Sequence, residues 1–214
     1  MKNMLPNIVE AIFLDFDGVV VESNDIKTQA FYEAYRSYGE TIAERAKQYH
    51  LNHQGVNRRQ KFETIHQQYL NKTCSPAEAQ SLSEKFLESV FHKIIETDFV
   101  PGVIDFLEKM QRQKIPVFLL SATPHQELCD IAEKKDISRF FKEIIGYPTT
   151  KPEAGLKIIQ QYHFHPDQII FIGDSQSDLR AAKALKVHFI GRRVQSNTEF
   201  EDEIQTIADF TELL

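Results

Sequence analysis

Ala11-Ile12-Phe13-Leu14-Asp15-Phe16-Asp17-Gly18 is an apolar run of four residues that stops at two acids and a glycine. A short apolar run bounded in this way reads as a buried strand that delivers carboxylates into a turn. In open α/β sheets, ligands bind where the strands end. Two carboxylates held there repel each other unless a cation or a shared proton neutralises them. The first can serve as a nucleophile and the second as a general acid. The same residues also suit a plain turn, which favours Asp and Gly in any case. The meaning of the pair therefore depends on what stands at the ends of the other strands.

Four further apolar runs, at 116–120, 143–147, 168–172 and 187–190, read as strands. Between them apolar residues recur at helical spacing, as in Val103, Phe106, Leu107 and Met110, or Leu179, Ala182 and Leu185. Strands and helices in alternation predict an α/β fold, a Rossmann-like parallel sheet covered on both faces. Thr123-Pro124 followed by Gln126 reads as a helix cap, a first-turn proline and a capping-box partner. Residues 25–97 differ. Ile26, Ala30, Phe31, Ala34, Tyr35 and Tyr38 mark one amphipathic helix, Phe62, Ile65 and Tyr69 a second, and Leu82, Phe86, Val90, Phe91 and Ile94 a third. The expected division is a discontinuous core, residues 1–22 and 98–214, with an inserted α-helical cap at 23–97. Phe99-Val100-Pro101-Gly102 marks the return to the core.

The chain has 214 residues, 42% of them hydrophobic and 16 of them Phe, enough for a sizeable core. No run approaches the ~20 apolar residues of a membrane span, and the net charge of -6 argues against non-specific nucleic-acid binding. Residues 1–6 lack the apolar stretch of a secretory signal. Cys74 and Cys129 lie far apart and show no metal-type spacing, so reduced thiols in the cytoplasm are expected. No oligomeric state is read from the sequence.

Three more polar clusters follow the later strands. Ser121-Ala122-Thr123 closes the second, Thr149-Thr150-Lys151-Pro152 lies in a loop after the third, and Gly173-Asp174-Ser175-Gln176-Ser177-Asp178 follows the fourth. Singly, Ser121 suits a helix cap, Lys151 a solvated surface, and Asp174 and Asp178 a helix N-terminus. Together they are the groups phosphoryl transfer requires. A phosphate dianion repels an attacking carboxylate, so charge on its oxygens must be neutralised. Asp15 and Asp174 offer hard oxygens suited to Mg²⁺, Lys151 a point charge, and Ser121 with the turn amides hydrogen bonds to the equatorial oxygens.

This ordered quartet resembles the haloacid dehalogenase-like superfamily, and in particular its phosphatases with a helical cap after the first motif. The resemblance covers essentially the whole chain. It implies that Asp15 forms an aspartyl-phosphate, and that Asp17 protonates the leaving oxygen and then activates water. It also implies that Ser121, Ala122 and Lys151 hold the phosphoryl group. Mg²⁺ would be bound by Asp15, the backbone carbonyl of Asp17, and Asp174, with Asp178 supporting the site. Family members that dehalogenate lack the second acid, so Asp17 argues against that chemistry. Val19 stands where many members have Thr. In the cap, Gln54-Gly55-Val56-Asn57-Arg58 resembles the Gly-Val-Ser-Arg stretch of β-phosphoglucomutase, which makes Asn57 and Arg58 candidate substrate contacts. Lys27 and Gly173-Asp174 depart from that mutase, which has His and Glu-Asp there. The expected activity is hydrolysis of a small-molecule phosphate ester, of the phosphoglycolate or sugar phosphate class. A phosphosugar mutase and a catalytically silent binding protein are the alternatives.

Overall fold

The computed structural model describes residues 6, 8–194, 200, 201 and 204–214. Residues 1–5, on which the expectation about a secretory signal mainly rests, lie outside this set. Six strands form one sheet: β1 (Ala11–Leu14), β2 (Val117–Pro124), β3 (Phe141–Tyr147), β4 (Ile169–Gly173), β5 (His188–Arg192) and β6 (Gln205–Ile207). Their spatial order is β3-β2-β1-β4-β5-β6 and every pairing is parallel. The predicted α/β sheet is therefore present, with one strand more than the apolar runs announce. β6 is three residues long and reads Gln-Thr-Ile, too short and too polar to register as a run.

β1 lies in the middle, paired with β2 on one side and β4 on the other, and all four of its residues are buried. A strand covered on both faces has no polar side, which is why it reads as an unbroken apolar run. Phe13 packs edge-on against Phe118 and Phe171, with ring centroids 5.8 and 6.2 Å apart. Helices α7 (Lys151–Tyr162) and α8 (Gln176–Leu185) add Ala154, Ile158, Ala181 and Ala182 to the same cluster. The strand order reverses direction at β1, so the carboxyl ends of β1, β2 and β4 meet at the position where such sheets open a binding crevice.

β2 is longer than its apolar run. Its pairing with β3 extends to Pro124 opposite Tyr147, and helix α6 (His125–Lys134) begins only after Pro124, with no side-chain cap. The capping box read from Thr123-Pro124 and Gln126 is therefore absent: Thr123 lies in β2, in a break in register before the pair at Pro124, and its hydroxyl meets another partner. Lys151, expected in a loop, is the first residue of α7. Thr150 caps that helix in a capping box with Glu153, and Pro152 sits in its first turn.

The chain divides into two compact units, residues 1–22 with 98–214, and residues 23–97. The second unit contains α1 (Asn24–Tyr35), α2 (Glu40–Asn52), α3 (Arg58–Tyr69) and α4 (Pro76–Glu96). The sequence periodicity announces three helices here. α2 escaped it because it buries Ala43, Ala46 and His50, a face with no large apolar residue. Tyr38 falls outside α1, in a 3₁₀ turn that ends at Gly39 with φ +100°. Phe31 forms the centre of this unit, 5.4 Å from Phe62, 5.0 Å from Phe86 and stacked at 4.5 Å on His50. Burial first, then the charges of Lys61 and Lys27, hold His50 well below its ordinary 6.5. A neutral imidazole is what lets Nδ1 accept from the buried ammonium of Lys61 at 2.8 Å.

The junction of β2 and β3 requires glycine at position 146. A Cβ there would lie 2.5 Å from the carbonyl oxygen of Thr123 and 2.7 Å from Cα of His125, both main-chain atoms that cannot rotate away. Gly146→Ala should destabilise the protein by about 1–3 kcal/mol, the range for overpacking. The check is the urea midpoint at unchanged slope; an unmoved midpoint would mean that the two strands part there without cost.

Candidate active site

The sheet register sets the first positions. Leu14 pairs with Leu119 on one side and with Ile172 on the other. Asp15 is therefore level with Leu120 and Gly173, and Ser121 and Asp174 stand one residue further along their own strands. The amide of Asp15 still donates to Ile172 at 3.0 Å, and the chain then turns. Gly18, at φ +69°, donates to the carbonyl of Val21 at 2.8 Å, and the amide of Phe16 donates to Asp15 Oδ1 at 2.7 Å. From the end of β5, Arg192 closes the turn from outside. Its Nη1 donates to the carbonyl of Gly18 at 2.9 Å, and Nη1 and Nη2 donate to Glu22 Oε2 and Oε1 at 2.9 and 2.5 Å. A fork-on-fork pair of this kind fixes direction as well as distance.

Asp15, Asp174, Asp178 and Lys151 are respectively 4, 3, 0 and 7% exposed. Lys151 Nζ lies 2.9 Å from Asp15 Oδ1 and 2.5 Å from Asp178 Oδ1. The other oxygen of Asp178 accepts from the amide and hydroxyl of Ser175, at 3.1 and 2.5 Å. Burial pushes the Asp15 carboxyl up from 3.8 to about 7; Lys151 opposes the rise while Asp178 and Asp17 add to it. Burial would lower Lys151, but Asp15 and Asp178 overcome it and hold the ammonium charged. Glycine at 173 makes room for this arrangement, since a Cβ there would come within 2.3 Å of Asp178 Cβ and 2.5 Å of its Cγ.

Carboxylate oxygens of Asp15, Asp174 and Asp178 lie within 4.8 Å of one another. Three buried acids at that spacing are unfavourable without a cation, and their hard oxygens suit a small divalent ion. The side chain of Asp17 is directed elsewhere: its Oδ2 accepts from the Thr123 hydroxyl at 3.1 Å. Ser121 is buried and its Oγ accepts from the amide of Thr123 at 3.1 Å, which leaves the hydroxyl proton to be donated.

Five of the expected residues, Asp15, Asp17, Lys151, Asp174 and Asp178, thus follow the carboxyl ends of β1, β3 and β4, and a sixth, Ser121, lies in the last half of β2 with Ala122 beside it. Asn57 and Arg58 belong to the helical unit. Asn57 caps α3, accepting from the amide of Gln60 at 3.0 Å, and the Arg58 guanidinium lies 5.2 Å from the ring centre of Phe86. Thr123, Ser175 and Arg192 were not singled out as site residues from the sequence. Ser175 could have been found from its spacing to Asp178, which spells a capping box. Arg192 lies 174 residues from Gly18, and no local pattern announces that contact.

Residues 12–192 match the family description "haloacid dehalogenase-like hydrolase". Among curated relatives, a probable phosphoglycolate phosphatase of Pseudomonas putida is 33% identical over 111 residues, half of this chain and 44% of that protein. A phosphorylated carbohydrates phosphatase of Thermotoga maritima is 23% identical over 85% of this chain and 84% of its own length. The chain thus spans less than half of the first relative and most of the second. Among solved structures, β-phosphoglucomutase of Clostridium difficile superposes with a TM-score of 0.76 at 20% identity, over 97% of this chain and 94% of that one. At that identity the likeness concerns the fold.

The charge balance gives a test by stability. With no cation bound, Asp15 takes up its proton at a higher pH when folded than when unfolded. Its contribution to stability is therefore present at low pH and falls as pH rises from about 4 to about 7. A divalent cation that binds the ionised acids opposes that loss. Saturating Mg²⁺ should stabilise the fold at pH 8 by the ~2.7 kcal/mol expected at a hundredfold excess over Kd, seen as a clear rise in Tm, and much less at pH 5. Asp174→Asn should remove most of the increment. A thermal scan showing the same increment at both pH values, or in the variant, would place the cation elsewhere.

Proposed function

The chain belongs to the haloacid dehalogenase-like hydrolases, and from that premise we propose that it is a Mg²⁺-dependent phosphatase acting on a small phosphorylated metabolite through an aspartyl-phosphate. The observation that carries this reading is the lysine-bridged cluster. Buried Asp15 shares Lys151 with Asp178, Asp174 stands within ligand distance, and a second acid, Asp17, is held apart by Thr123. Relatives named as phosphatases for phosphoglycolate and phosphorylated carbohydrates support the substrate class.

Each residue then has a task. An oxygen of Asp15 attacks phosphorus, and the bond from phosphorus to the leaving oxygen breaks as that oxygen takes the proton of Asp17. The Asp17 carboxylate next draws a proton from water as the water oxygen attacks phosphorus. The bond to Asp15 breaks and both acids return to their starting states. Lys151 and the Ser121 hydroxyl offset charge on the equatorial oxygens. Asp15, the carbonyl of Asp17, Asp174 and Asp178 would hold Mg²⁺, which supplies Lewis-acid neutralisation of the phosphate. The helical unit, with Asn57 and Arg58, is the proposed source of substrate choice.

Two measurements test the reading. The first is a phosphate-release screen over phosphoglycolate, sugar phosphates and nucleotides with Mg²⁺; conversion of a hexose 1-phosphate to an isomer without free phosphate would mark a mutase instead. The second is Asp15→Asn, which keeps shape but removes the nucleophile and should lower kcat at least ~10³-fold. Activity within tenfold of wild type would rule out the aspartyl-phosphate. Excess Ca²⁺, which prefers a larger and looser oxygen shell, should inhibit.

A further inference from the structure

We propose that Thr123 is the positioning residue of Asp17, an inference that rests on the phosphatase reading and deepens it. Its hydroxyl donates to Asp17 Oδ2 at 3.1 Å, across 106 residues of sequence, from a side chain that is 4% exposed. Three independent features bring it there. β2 pairs with β3 at Leu120 and again at Pro124 opposite Tyr147, which brackets a break in register over Ser121–Thr123. Gly146 leaves space for the Thr123 carbonyl that a Cβ would occupy. The Thr123 amide is anchored on Ser121 Oγ at 3.1 Å. The residue is therefore fixed by the strand pairs on either side of it, by close packing and by a local hydrogen bond before its hydroxyl meets the acid.

That bond has a chemical consequence. A carboxyl group carries its proton on one oxygen at a time, and Oδ2 is already accepting a hydrogen. Thr123 thus restrains the rotation of the Asp17 carboxyl, and its bond to Oδ2 favours placing the acid proton on the other oxygen, Oδ1. Val19, buried beside the turn, has no hydroxyl to offer. Arg192 holds the carbonyl of Gly18 and so steadies the turn.

The test compares leaving groups, using kcat/KM, which reports the steps up to phosphoenzyme formation. An alkyl phosphate must have its leaving oxygen protonated, whereas p-nitrophenolate departs without a proton. Thr123→Val keeps shape and removes the donor. It should lower kcat/KM for the best alkyl phosphate roughly 30-fold, and for p-nitrophenyl phosphate less than threefold. Thr123→Ser should restore the alkyl rate to within threefold of wild type. Equal losses on both esters, or a serine variant as slow as valine, would overturn the inference and leave the phosphatase reading standing. No loss on either ester would do the same. A wild-type protein that releases phosphate from neither ester would overturn the reading and the inference together.

Discussion

Lys151 stands between two buried carboxylates, and the rest of the site depends on that bridge. Two acids brought to the same ammonium from different elements, Asp15 from β1 and Asp178 from α8, would repel each other across a dry gap if the lysine were absent. A buried ion pair is weak evidence of net stability, because desolvation offsets the Coulombic gain, but removing one partner leaves an uncompensated charge at a cost of about 3–5 kcal/mol. The bridge therefore acts as a constraint on register. α7 must begin where Thr150 and Glu153 cap it, α8 must begin where Ser175 and Asp178 cap it, and both must stack beside β1. The sheet with β4 and β2 flanking β1 satisfies all three.

The fold was legible where one residue type did one job. β1 and β4 are buried on both faces and read as plain apolar runs, and the capped helices spell their starts. Legibility failed where the fold used residues against their local preference. Thr123 and Pro124 have the local pattern of a helix start, yet pairing with Tyr147 keeps them in β2. α2 buries two alanines and a histidine, so no amphipathic stripe of large residues marks it. β6 is held by β5 rather than by its own composition. For β2 and β6 a non-local contact outweighs a local signal worth less than about 1 kcal/mol per residue.

The chemical groups were more legible than their roles. Asp15, Asp17, Ser121, Lys151, Asp174 and Asp178 could be named because each follows an apolar run, and apolar runs are visible in the sequence. Which acid faces which partner could not be named, since it depends on register. Asp17 and Asp15 are two residues apart, yet Asp15 meets Lys151 while Asp17 meets Thr123. The turn at Gly18 makes that separation, and Arg192, far away in sequence, steadies it.

Gly173 shows how closely fold and chemistry are joined. In the sequence it was the residue that departed from the mutase pattern, a missing acid before Asp174. In the structure it is the floor under Asp178, whose Cβ and Cγ occupy the space a side chain at 173 would need. A larger residue at 173 would displace Asp178, and Asp178 carries both the Ser175 cap and one side of the Lys151 bridge. The charge of the cluster is thus set by mutual exclusion: an acid at 173 and the present placement of Asp178 cannot coexist on this backbone. The glycine is then a requirement of Asp178, not a gap in a motif, because the side chain it lacks is the one that would unseat the acid opposite Lys151.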